Sequence, residues 1–114
     1  MRETGKSFRI LLQTLYVASV QNQDVILWVG NHHEVARMHK ALLDMAQSYL
    51  PQPLMHNRSH ILMPNKVRIY VKNIQNVATE IVGYDFRNMQ EITDAIDEAD
   101  KAEFFDYRLR NGLI

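Results

Sequence analysis

The chain has no cysteine among its 114 residues, so a disulfide framework, a thiolate metal site and a cysteine nucleophile are all excluded. No apolar stretch approaches the roughly 20 residues of a membrane-spanning helix, and the first residues lack the apolar core of a signal peptide. The expectation is a cytoplasmic protein with no membrane partner. There is no Gly-x-Ser-x-Gly turn, which removes one hydrolase class. No repeat, low-complexity tract or linker divides the sequence, so residues 1–114 are expected to form a single α/β domain. Net charge is also missing, because 13 Lys and Arg balance 13 Asp and Glu. The balance is not local. Residues 1–75 carry nine bases against four acids, and residues 76–114 carry four bases against nine acids. Such a split suits either polyanion binding by the basic part or two solvated faces of opposite sign.

Apolar periodicity supplies the elements. Phe8, Leu11, Leu12, Leu15 and Ala18 recur at helical spacing, predicting a helix over 7–20. The run DVILWVG (24–30) is continuously apolar between Asp and Gly, the pattern of a strand buried on both faces. Val35, Met38, Leu42, Met45 and Tyr49 predict a second helix, with Asn31 as N-cap, Glu34 three residues on, and Pro51 as the stop. HILMP (60–64) and KVRIYVK (66–72) read as strands joined by a tight turn at Pro64-Asn65. A further strand is expected near 79–82. Met89, Ile92, Ile96 and Ala99, led by Asn88 and Glu91, predict a helix over 88–105. Alternating elements around one apolar strand predict a small layered α/β sheet with flanking helices.

The stretch TGKS (4–7) ends in the Gly-Lys-Ser of a phosphate-binding loop. In the full motif, glycines let backbone N–H groups wrap the phosphates, the Lys reaches the outer phosphates, and the hydroxyl holds magnesium. The same four residues are also an ordinary helix start. Followed by DVILWVGNHHEVARMHKALLDMA, by LMPNKVRIYVKN with GYDF, and by AIDEAD (95–100), this opening resembles the P-loop ATPase core shared by helicases and phage terminase large subunits. The resemblance covers most of the chain. It implies ATP and magnesium as cofactors, with Gly5, Lys6 and Ser7 as the phosphate site. Asp97 would stand in the magnesium-organising place and Glu98 in that of the water-activating base. Because the first glycine of the motif and the strand before it do not precede Gly5, the expectation is a P-loop NTPase-like sheet lacking its first strand. Little or no hydrolysis should follow, with an exposed sheet edge covered by self-association or a protein partner.

Two departures stand against the resemblance. The acids of the corresponding motif follow a hydrophobic strand, whereas NMQEITDAIDEAD reads as a helix with a solvated acidic face. The spacing from Gly83 to Asp97 is also longer than the family pattern, and no arginine finger can be assigned. A small non-catalytic interaction module therefore stays open beside the ATPase-like reading. Arg58, Lys66, Arg68 and Lys72, with Tyr70 between them, form a candidate nucleic-acid surface, since 66, 68, 70 and 72 share one face of a strand. A solvated sheet face explains them equally. His32, His33 and His39 have no i, i+4 partner with a suitable acid, so no metal site is expected.

Overall fold

The computed structural model describes residues 4–50, 54–57, 59–76 and 86–112. Helix α1 (Thr4–Ser19) leads into strand β1 (Asp24–Val29), which is followed by helix α2 (His32–Tyr49). Two short strands, β2 (Met55–His56) and β3 (Ile61–Leu62), precede β4 (Arg68–Asn73). Strand β5 (Met89–Ile92) and helix α3 (Glu98–Arg110) follow. The sheet order is β2-β3-β4-β1-β5. β1 runs parallel to both neighbours, β4 and β5, and β3 and β2 extend the sheet antiparallel beyond β4.

β1 owes its central place to its composition. Val25, Leu27 and Val29 point into the core shared with α1 and α2, while Ile26 and Trp28 point into a second core with Phe104 of α3. All five are essentially inaccessible to solvent. A strand that is apolar on both faces cannot lie at an edge or under water, so helices cover both sides. α1 packs on β1, and α2 packs mainly on β4. The layers are thus α1 and α2 on one face, the sheet, and α3 on the other.

Local chemistry sets several boundaries. Asn31 Oδ1 accepts the Glu34 N–H at 3.1 Å and caps α2, as its sequence predicts. Glu34 itself turns to Arg37 rather than back to the cap. The Pro64-Asn65 turn joins β3 to β4, with Met63 and Val67 paired across it and Lys66 in the left-handed region at φ 75°.

The helix expected over 88–105 is corrected. Met89 to Ile92 is a strand, the turn 93–96 follows, and α3 begins only at Glu98 with Asp97 in the cap position. Met89 and Ile92 enter opposite cores, which an odd separation on a strand requires, and Ala99, assigned to the apolar stripe, is exposed. Pairing with β1 outweighed a helical period that the same residues also satisfy. α1 is rotated from its expected face: Ile10, Leu11, Leu15, Val17 and Ala18 are buried, whereas Phe8 and Leu12 are exposed. In α2 the inward row is Met38, Leu42 and Ala46, and Tyr49 lies outside. The strand expected near 79–82 lies outside the described residues.

A candidate functional cleft between two helices

α1 ends within five residues of the start of β1, so its first turn lies at the carboxyl end of the parallel strands. α3 begins at that same end, because it follows β5. The chain leaving β1 goes to α2 on one face, and the chain leaving β5 goes to α3 on the other. Adjacent parallel strands whose exits diverge in this way open a crevice at their carboxyl ends, the place where open α/β sheets bind ligands.

A cleft of about 660 Å³ opens at the carboxyl end of β5, between α1 and the start of α3, and no residue of the chain leaving β1 lines it. α1 contributes Lys6, Arg9, Ile10 and Gln13; the turn after β5 contributes Asp94 and Ile96; and the start of α3 contributes Asp97, Glu98 and Lys101. Three cations and three carboxylates thus face one space. Among the described residues neither Lys6 nor Arg9 has a carboxylate within 4.0 Å, while Lys101 pairs with Glu98 at 3.5 Å. Asp97 makes no side-chain hydrogen bond to the turn it caps, so its carboxylate is left to face the cleft. The first backbone N–H groups of a helix have no partner within it; α3 brings such an end to the cleft, whereas α1 borders it along one side through Lys6, Arg9, Ile10 and Gln13.

The sequence-assigned residues are distributed unevenly around this space. Lys6 from the GKS triplet and both members of the Asp97–Glu98 pair line the cleft, although they come from opposite ends of the chain. Gly5 and Ser7 are in the first turn of α1 and are not among its lining residues. Gly5 is helical, and a Cβ added there would meet nothing within 4 Å. A strand does precede the acids, but the 93–96 turn intervenes, so Asp97 and Glu98 stand at a helix start and not at a strand end. Arg9, Gln13, Asp94 and Lys101 went unassigned in the sequence. Arg9 was legible, being three residues from Lys6 on one helix face; Asp94 was not, because its place depends on β5 being a strand.

Of the basic set, Lys66, Arg68 and Lys72 do not line this cleft. Arg58 lies outside the described residues. Lys66 belongs to the hairpin turn and not to β4, and Arg68 opens β4 at the opposite end of the sheet. Tyr70 is 9% exposed and packs in the α3-side core, so the face expected to carry 66, 68, 70 and 72 is not a continuous polar strip.

A second cluster joins α2 to the β2–β3 edge. The rings of His39 and His56 stand 5.7 Å apart, and His60 lies 5.6 Å from Tyr70. Burial pushes the His39 pKa below the usual value, helped by His56, His60 and Lys72. Burial likewise lowers His60, with Arg68 and Lys72 adding to it and Asp24 opposing. His32 and His33, adjacent at the start of α2, bring their rings to 4.0 Å. Among the described residues no three His, Asp or Glu side chains converge to hold a metal ion. Nor is any described helix long and apolar enough to cross a membrane.

No family model matches the chain, and neither a curated protein nor a solved structure matches it.

Proposed function

We propose that this chain is a phosphate-binding module of P-loop ATPase-like type, taking the phosphates of a magnesium-bound nucleotide in the cleft between α1 and α3 with negligible hydrolysis. The observation that carries the reading is the meeting of Lys6 with Asp97 in one cleft at the carboxyl end of the parallel strand β5. Lys6 supplies an ammonium that has no described carboxylate within 4.0 Å, and the first turn of α3 supplies N–H groups and the positive end of a helix dipole.

A resident metal ion does not suit this donor set. Magnesium that arrives with phosphates needs only one or two protein carboxylates, and Asp97 with Asp94 meets that need. Hydrolysis is a different demand, because the base that activates water must be held in a water-excluded, fixed geometry. Glu98 has a side chain 92% exposed and tied to Lys101. Binding without turnover follows.

The test is a titration of ATP with magnesium, of inorganic triphosphate and of sulfate, followed at the amides of residues 5–9 and 97–101. Shifts at both sets that vanish in Lys6→Ala support the reading. Unmoved amides under all three ligands overturn it, as does steady ATP turnover that disappears in Lys6→Ala.

A further inference from the structure

The outer face of α1 is apolar where a monomer would be polar. Phe8, Leu12, Tyr16 and Val20 follow one another at intervals of four and are 50%, 38%, 53% and 58% exposed. From Gln13 to Val20 the chain carries no charge. Beside this ridge runs an open groove of about 620 Å³, whose far wall is Ala46, Tyr49 and Leu50 from the end of α2 and Met63 before the hairpin turn. Tyr49 is 70% exposed at its rim. Charge-depleted, aromatic-rich surfaces of this kind mark the buried centre of interfaces, and a contiguous apolar patch is uncommon on a monomer.

We infer that this face is the contact between two copies of the chain, each inserting its α1 ridge into the groove of the other about a two-fold axis. The occupant follows from the surface itself. Ridge and groove lie side by side on one face, so a single two-fold operation fills both grooves with both ridges, which is the self-complementarity an isologous interface requires. Rows spaced by four residues interdigitate with the helices crossing at about −50°.

Charge fixes the direction. α1 carries its only described charges, Lys6 and Arg9, at its amino end, with no basic residue in its last turn. Parallel packing would crowd four cations together, so the two α1 helices run antiparallel, each cationic end against the carbonyl end of the other. Arg9 lines both the apolar groove and the Lys6 cleft, which places the edge of the interface against that cleft.

Sedimentation velocity on the full chain, from low to high micromolar concentration, tests this. The expected result is a monomer–dimer equilibrium. Leu12→Glu and Tyr16→Glu should each raise the dissociation constant at least about tenfold, as truncation of a central anchor does. Leu109→Glu, on an exposed α3 position away from the groove, should leave it unchanged. Because the native chain lacks cysteine, Leu12→Cys, at the position that antiparallel pairing of the two helices sets against its own two-fold mate, gives a second measurement that does not introduce a charge: mild oxidation should produce a covalent dimer, and Leu109→Cys under the same conditions should not. A monomer throughout the range overturns the inference. A dimer unaffected by both glutamate variants, or equal cross-linking at 12 and 109, overturns it too.

Discussion

Glu91 on β5 grips Arg108 on α3 through both carboxylate oxygens, Nη1 to Oε1 at 2.5 Å and Nη2 to Oε2 at 3.2 Å. The Trp28 indole N–H donates to the same Oε1 at 2.8 Å, so one carboxylate ties the central strand, the edge strand and the outer helix. The two partners are not equivalent: the Arg108 side chain is 2% exposed and the Glu91 side chain 22%.

That asymmetry gives an ordered expectation. Glu91→Ala removes both of these bonds from a buried guanidinium and should destabilise the fold by roughly 3–5 kcal/mol, whereas Arg108→Met leaves a carboxylate that can reach water and should cost less. Urea unfolding followed by Trp28 fluorescence checks the ranking. Equal losses would show that the carboxylate is as trapped as the guanidinium.

The histidine cluster makes stability depend on pH. His39 and His60 both have folded pKa values below their ordinary 6.5, first through burial and then through neighbouring positive groups. A depressed histidine favours the neutral form in the folded state, so its full contribution is present well above pH 6.5 and is lost as pH falls through 6.5 toward the folded value. Thermal melts from pH 8 to pH 5 should show a falling midpoint below about pH 6.5, with a shallower fall in His39→Gln.

Gly5 separates fold from binding. It is helical with open space where a Cβ would stand, so Gly5→Ala should stabilise α1 by about 0.5–1 kcal/mol. If phosphates sit on the first turn, the added methyl group at that turn should weaken their binding while the melting temperature rises. A rise in both would place the ligand elsewhere in the cleft.

Asn65 is the link between the hairpin and the α1–β1 turn. Its Nδ2 donates to Ala18 O at 2.8 Å and Asn22 Oδ1 at 2.7 Å, and its Oδ1 accepts the Val67 N–H at 3.2 Å. Asn65→Ala should cost roughly 1–2 kcal/mol in urea unfolding, since three bonds around two left-handed residues, Asn22 and Lys66, are lost together. A value near zero would mean that solvent replaces them without strain.

The sequence by itself determined the features that depend on near neighbours. The run Val25 to Val29 is apolar at every position, which only a strand covered on both faces accommodates. Asn31 caps α2 because its side chain needs only the N–H three residues on, and Pro64-Asn65 turns the chain within four residues. Met89 and Ile92 were different. Their spacing suits a helix turn as well as a strand, and the choice was made by backbone pairing with β1, more than sixty residues earlier in the chain. The turn of α1 that buries Ile10 and Val17 and exposes Phe8 and Leu12 was likewise set by packing on β1 and α2, because an apolar helix has several faces that could go inward. The cleft depended on both outcomes. Lys6 meets Asp97 and Glu98 only because α1 lies back along β1 and β5 is a strand that delivers α3 to the same end of the sheet, and contacts between the two ends of a chain are created by tertiary packing and not by local periodicity.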